Sequence, residues 1–562
     1  MSPKHHALLA VTAIAILGGC VTTAQARQLT DKDYARAEQF LDYTTKPLVD
    51  HLVRTVNWLN DTRFWYVDHD KSGDHYKVMD AATGKVKPAF DQKKLAASLS
   101  AAAGTAIKAN KLNIEDYKIT ADGRLDITLK SGNEESRAPG ERYVCDLSGK
   151  GQCIPWASAF KHKPGKQIGR AAVSPNGKYA VFVRNWNLWL RNLETGKETQ
   201  LTHDGVKNYG YATGNAGWVH HKGAIVRWSP DSTKVATYRQ DQRKVGNMYT
   251  IQTRVGHPVL HQWKYALPGD QHVFMIEPVV IDIKTGKIVR LKMKPEERLS
   301  TLCDTLACNY AKPNTWSDVK WAPDGKTLAF VTTSRNRQHE WFRIANAETG
   351  EVHTGFHYTA KDYYESGHGM VNWQYLPGTD EAIWPTEQNN WLNLYLYSLK
   401  TGKEIRPITT GKGNVDKVLY FNRKTGTLWF VGNARTPGIN PYFKQFFKVN
   451  ITTGKTTLLT PEDADHTITM SPNGKYFVDS YSTPTQPPVT VLRSSTDGHI
   501  ISTVARADIS RLKATGWVPP QIIKVKARNG KTTLYGLMFK PTRFDPHKKY
   551  PIVDYIYPGP QT

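Results

Sequence analysis

Short apolar runs in which buried-type and polar residues alternate recur along the chain; "YAVFVRNWNLWLRN" and "EAIWPTEQNNWLNLYLYS" are two of them. A period of two suits a strand, whose successive side chains point to opposite faces. Each run is bracketed by two kinds of turn. The first carries proline: "SPNGKYAVFV" starts at Ser174, "SPDSTKVATY" at Ser229, "APDGKTLAFV" at Ala322 and "SPNGKYFVDS" at Ser471, with looser copies at Leu376 and Asn422. Proline presets φ, Asn or Asp bonds its own backbone, and glycine accepts positive φ. The second turn carries glycine at Gly196, Gly286, Gly350, Gly402 and Gly454, with Gly84 and Gly498 in the same series. Antiparallel strands joined by tight turns, repeating about every 50 residues, are what the blades of a β-propeller require.

The pattern therefore predicts a mostly β chain built as an eight-bladed β-propeller over 61–510, with seven blades as the alternative count. The units centre on 62–90, 115–153, 172–202, 225–292, 320–354, 371–409, 417–460 and 467–503. The fourth is long, and "VGHPVLHQWKYALPGDQH" reads as an insertion. Helical signals gather near the N-terminus. A short helical segment is expected in 27–60, where Thr30 with Asp33 three residues on is a variant capping box, and a second helix from Asp91 to Gly104.

After the repeat, "WVPPQIIKVKARNGKTTLYGLMFKP" reads as a pair of strands leading out of the ring. Ile552–Tyr557 then forms a proline-bounded apolar run, expected to be a buried strand of a parallel sheet.

Composition adds compartment and partners. An apolar fraction of 39% and an aromatic fraction of 11% are those of a packed chain, not a disordered one. The net charge of +25 would suit an acidic partner, yet the Lys and Arg residues are scattered through turns and form no basic arm, so no nucleic-acid partner is expected. Residues 1–26 read as an export signal: one Lys and an apolar run from Ala7 to Leu17, too short to span a bilayer. Leu17-Gly18-Gly19-Cys20 has the form of a lipobox that would leave Cys20 as a lipid anchor, and Ala24-Gln25-Ala26 offers ordinary cleavage after Ala26 instead. An exported protein in the periplasm, or held at the outer membrane through Cys20, is the expectation. Four other cysteines remain, and their spacing in an oxidising compartment favours Cys145–Cys153 and Cys303–Cys308 disulfides. No cysteine or histidine spacing fits a metal site, and no cofactor is expected.

The closing "GKTTLYGLMFKPTRFDPHKKYPIVDYIYPGPQT" resembles the junction at which a propeller passes into an α/β-hydrolase domain in the dipeptidyl peptidase IV branch of the prolyl oligopeptidase family. The opening "DYARAEQFLDYTTKPLV" and the stretches "WSPDSTKVATYRQDQRKV", "WKYALPGD" and "QNNWLNLYLYSLKTGK" resemble bacterial members of the same branch. The resemblance implies that 511–562 begins a hydrolase domain whose Ser-Asp-His triad lies beyond this chain, with peptides as substrates and a homodimer left open. It implies that Tyr557, in Tyr557-Pro558-Gly559-Pro560, would donate to the oxyanion of a tetrahedral intermediate. The nucleophile is another matter, since the 562 residues contain no G-x-S-x-G, and Ser366 beside Gly367 and His368 reads as a turn. Relatives that remove dipeptides grip the substrate ammonium with a Glu pair after a "W-V" stretch. Here Gly217-Trp218-Val219-His220-His221-Lys222 puts His221 and Lys222 there, and Lys222 would repel an ammonium group. The alternative to a peptidase is a non-enzymatic envelope propeller that binds peptides or proteins.

Overall fold

The structure is a computed structural model that describes residues 28–120, 123–130, 141–146, 151–155, 171–213, 224–253, 255–297, 316–364, 371–542 and 544–556. Eight consecutive antiparallel sheets make up a β-propeller, spanning 52–88, 114–155, 172–200, 209–297, 319–359, 374–407, 414–458 and 465–506; they are blades 1 to 8 below. Within each blade the strands pair in chain order, and A to D denote the first to the fourth. The A strands form the inner ring, and the D strands, such as Val86–Pro88 and Glu404–Pro407, are largely exposed at the rim.

Both recurrent turns form for local reasons. In blade 3 the Ser174 hydroxyl donates to Asn176 Oδ1 at 2.7 Å and accepts from the Tyr179 amide at 3.0 Å, and Gly177 takes φ 70°. Blade 8 repeats this with Ser471, Asn473 and Tyr476. Five of the seven glycine turns are held by an Asx residue: Asp80, Asn192, Asp282, Asn346 and Asn450 each accept two amides, from the residues two and three ahead, while Ser398 and Ser494 each accept one amide in the other two. Such side chains compete well with solvent because they mimic a backbone turn.

The blades adhere through apolar faces. Phe342, Phe356, Trp373 and Trp384 lock blade 5 to blade 6, and Leu394, Val415, Phe430 and Phe447 lock blade 6 to blade 7. Each such side chain contributes roughly 1.5–3 kcal/mol on burial. Side chains of the inner ring also clasp a neighbour's main chain. The Trp228 indole donates to the Ala172 carbonyl, Trp321 to the Arg227 carbonyl and Arg423 to the Tyr375 carbonyl, at 3.0, 3.0 and 3.1 Å. At the closing junction Phe64, Tyr66 and Met79 of blade 1 pack on Val478 and Leu492 of blade 8, and the Trp58 indole donates to the Thr469 carbonyl at 3.2 Å. Among the described residues no strand is exchanged there; besides packing, a short bridge between Asp50 and Asp508 ties the two chain crossings together.

Several elements differ in extent from the sequence reading. The ring begins at Leu52, inside the segment assigned above to helix, because Leu52–Trp58 is the A strand of blade 1. The N-terminal helix is confined to Asp31–Glu38, with the Thr30–Asp33 capping box in place, followed by the short turn Asp42–Thr45. The Gln92–Ala103 helix has Asp91 as N-cap and Gly104 at φ 68° as C-cap, and packs Leu95 and Leu99 between blades 1 and 2. The insertion of blade 4 is a hairpin arm, Asn247–Gln252 with Val259–Lys264. After the ring, Gln521–Lys526 and Thr533–Met538 pair as an isolated hairpin. The run expected to be a buried strand is instead unpaired up to Ile556, with Ile552, Val553 and Tyr555 about nine-tenths exposed. Burial of a parallel strand needs partners on both sides, and none of the described residues supplies them.

Candidate functional site

Strand alternation sorts every connection to one of two faces. The proline turns (A to B) and glycine turns (C to D) lie together on one face, which is regular and tightly turned. The B-to-C loops and the passages between blades lie on the other. That second face carries the arm of blade 4 and the crossings at Asp50 and Asp508, where the chain enters and leaves the ring. Irregular loops on a rigid ring are where binding groups concentrate, so this face is the candidate functional surface.

Its most distinctive feature is the inner strand of blade 4, which is split. Tyr209–Tyr211 pairs with Arg239–Asp241, and Arg227–Trp228 pairs with Val235–Ala236, so the pairing breaks between Tyr211 and Arg227, opposite Thr237 and Tyr238. Both feet of the break are fixed. Ala212 donates to the Tyr238 carbonyl at 2.9 Å, Ile225 donates to the Ala212 carbonyl at 3.0 Å, and the Thr237 hydroxyl donates to the Ile225 carbonyl at 2.7 Å. The Tyr238 hydroxyl reaches the Thr213 carbonyl at 2.8 Å, and its ring meets Trp316 edge-on.

A charged network braces the first foot. Asp204 accepts from the Tyr211 hydroxyl at 2.8 Å and pairs with Arg239 at 3.0 Å and Arg290 at 3.1 Å. Burial opposes its ionisation, but the Tyr211 hydroxyl and the two guanidinium groups outweigh burial and hold its carboxyl below the usual range. Burial, then the bond to Asp204, pushes the Tyr211 phenol up. Arg239 lies 3.5 Å from the centre of the Tyr209 ring, and the Tyr209 hydroxyl donates to Glu277 at 3.1 Å. With cations and carboxylates already paired, this network positions backbone and offers no free nucleophile. The "NYGYAT" alternation that builds it is present in the sequence, just ahead of the "W-V" stretch, and is the signal by which it could have been found.

Between blades 4 and 5 on the same face lies a cleft of about 440 Å³, lined by Pro268, Gly269, Glu297, Ser334, Arg335, Asn336 and His339. Arg335 donates to the Leu267 carbonyl at 2.6 Å and so pins the base of the arm to blade 5. Of the Glu-Glu pairs in the chain, Glu296-Glu297 lies here, with Glu296 held by Arg343 at 2.5 Å.

A serine, a histidine and an aspartate do meet, in the B-to-C turn of blade 1. Ser72 donates to Asp70 at 2.6 Å, and His75 Nε2 lies 3.0 Å from Ser72 Oγ and 3.1 Å from Asp70. A catalytic triad needs serine and carboxylate on opposite ring nitrogens. Here one nitrogen faces both, and the serine proton goes to the carboxylate, so the trio is a turn network. Glu462, His466 and Asp479 converge in blade 8, but the Arg493 guanidinium pairs with Asp479 at 3.0 Å and Glu462 at 2.6 Å. A cation would have to displace it.

Of the residues singled out from sequence, Cys145 and Cys153 are cross-strand partners in blade 2 and are joined by a disulfide. Tyr557, His221, Lys222, Cys20, Cys303, Cys308 and Ser366 lie outside the described residues. Among the described residues no helix is long and apolar enough to cross a membrane.

Known proteins share this architecture. The profile of the "Dipeptidyl peptidase IV (DPP IV) N-terminal region" matches residues 136–488. The "Probable dipeptidyl-aminopeptidase B" of Aspergillus terreus is 24% identical over 424 residues, which is 71% of this chain and 44% of the relative; the protein of the same name in Penicillium rubens is 24% identical over 438 residues, 71% and 45%. The chain thus spans about half the length of the curated relatives it matches. The crystal structure of Porphyromonas gingivalis dipeptidyl peptidase 4 superposes with a TM-score of 0.65 at 16% identity, covering 89% of this chain and 66% of that one, and shows the same fold.

Proposed function

The chain belongs to the dipeptidyl peptidase IV N-terminal region family, and we propose that it is the propeller portion of an exported serine peptidase of that type, gating short peptides toward a Ser-Asp-His centre in an α/β-hydrolase domain. The observation that carries this is the split inner strand of blade 4. It opens the inner ring between Ala212 and Ile225, in a propeller that the chain enters and leaves at Asp50 and Asp508. A domain joined at that bridge would face the ring across one cavity, the usual place for a ligand between domains.

The segment beyond the ring supports the same reading. Ile552, Val553, Tyr555 and Ile556 are exposed together, which is costly for apolar strand formers unless a neighbouring sheet covers them. Tyr557 would then serve the oxyanion, and His221 with Lys222, in place of a Glu pair, would weaken selection for a free N-terminus. Export follows from residues 1–26, with Cys20 as anchor if the lipobox is used.

The test uses two proteins: the 562-residue chain and the product of the complete natural reading frame. A fluorophosphonate should label a serine only in the latter, which should cleave peptides with blocked and free N-termini at comparable rates. Labelling of the 562-residue chain, or an inert full product, would overturn the proposal.

A further inference from the structure

Five other described histidines each sit against an aspartate, His466 on Asp479 being the most buried. His339 and His357 do not. They face each other on the C and D strands of blade 5, with His339 Nδ1 3.1 Å from His357 Nε2. Register explains the approach. Trp341 pairs with His357 and His339 pairs with Thr359, so the two histidines are diagonal neighbours on one face of a rigid antiparallel pair. Trp341 stacks on His357 with centroids 5.0 Å apart and planes 6° apart, which fixes the orientation of that ring.

We propose that His339 and His357 chelate a borderline divalent cation, Zn²⁺ or Cu²⁺, at the mouth of the cleft between blades 4 and 5. The spacing fits. With metal–nitrogen bonds of ~2.0–2.1 Å, two imidazole nitrogens on one ion lie about 2.9 Å apart at a right angle and about 3.3 Å apart at the tetrahedral angle. The observed separation falls between these. As neutral rings the pair shares one N–H···N bond; taking up a metal requires only that this proton move to the far nitrogen of its own ring, so that both facing lone pairs are free. One oxygen donor stands close by: the Thr359 hydroxyl is 3.4 Å from His339 Nδ1. The cleft that His339 lines also holds Glu297, Ser334 and Asn336. Imidazole with oxygen donors and water suits zinc and copper and disfavours calcium or magnesium. The ion would tie the outer strands of blade 5 together at the functional face.

Zn²⁺ affinity measured by competition with a chromogenic chelator, together with the Cu²⁺ electron paramagnetic resonance spectrum, tests the site on the intact chain. Wild type is expected to hold a copper ion whose spectrum shows two coupled nitrogens. His339→Asn and His357→Asn should each weaken Zn²⁺ binding by about tenfold or more, since a metal site depends on each ligand. His353→Asn should have no effect, because that ring turns away to the Leu399 carbonyl. Quenching of tryptophan fluorescence by Cu²⁺ should shrink in Trp341→Phe. Unchanged urea midpoints would show that the variants fold. Equal Zn²⁺ affinity in wild type and both histidine variants, or a copper spectrum unaltered by either, would overturn the site.

Discussion

Replacing Lys320 by methionine should change the sign of its effect on stability with pH. Lys320 lies on the inner strand Val319–Trp321 of blade 5, where its ammonium donates to the Trp373 carbonyl and sits 4.6 Å from the centre of the Trp373 ring. Burial, with Arg227 nearby, lowers its pKa from 10.5 to about 7. Above pH 10.5 the amine is neutral both folded and unfolded, and the shift costs nothing. As pH falls, the unfolded chain takes up the proton near 10.5 and the folded chain not until about 7. Stability is therefore lost progressively across that window and levels off below it. At ~1.4 kcal/mol per unit the loss at neutral pH is on the order of 4 kcal/mol. Methionine has a similar reach and carries no charge, so it escapes this loss. It forfeits the bond to the Trp373 carbonyl and leaves that oxygen unpaired, at a cost of about 1–3 kcal/mol. Lys320→Met should accordingly be more stable than wild type near pH 7 and less stable near pH 10.5. Urea unfolding followed by tryptophan fluorescence from pH 6.5 to 10.5 reads this directly. Other titrating groups are common to both proteins and cancel in the difference of midpoints. A difference that stays flat across the range would show that Lys320 is not desolvated, and the argument would fail.

Three further outcomes are expected. Asp479→Asn breaks the fully buried bonds to Arg493 and His466 in blade 8 and should cost about 3–5 kcal/mol in urea unfolding; a loss below ~1 kcal/mol would mean that the network is solvated. Trp58→Phe removes the indole bond to the Thr469 carbonyl, so the closing junction should weaken by ~1 kcal/mol and amide exchange should quicken first around Asp50 and Asp508; uniform exchange would show that the junction is not the weak point. Ellman titration of denatured, unreduced protein should find no free thiol at Cys145 or Cys153; two reactive thiols there would remove the strap from blade 2.

The chain's local chemistry wrote most of the ring. Serine, proline, Asx and glycine turns bond within about five residues of themselves, so Ser174–Tyr179 and Asn192–Gly196 form wherever they occur, and eight such units could be read as eight blades. The caps at Asp91 and Gly104 and the Cys145–Cys153 pair are legible on the same terms. Tertiary structure alone decided the rest. Leu52–Trp58 lacks a flanking signature turn and becomes a strand because blade 8 closes over it; Trp58 finds Thr469 across 411 positions of sequence. The split strand of blade 4 emerges only from the register against Arg239 and Ala236, and the face that carries the hairpin arm and the chain crossings emerges only from the alternation of strands. His339 and His357 are 18 residues apart, like any two histidines, until antiparallel register sets their rings side by side. Turn formation is a bargain between near neighbours and solvent, whereas burial, facing and the meeting of charges depend on which distant surfaces exclude water together.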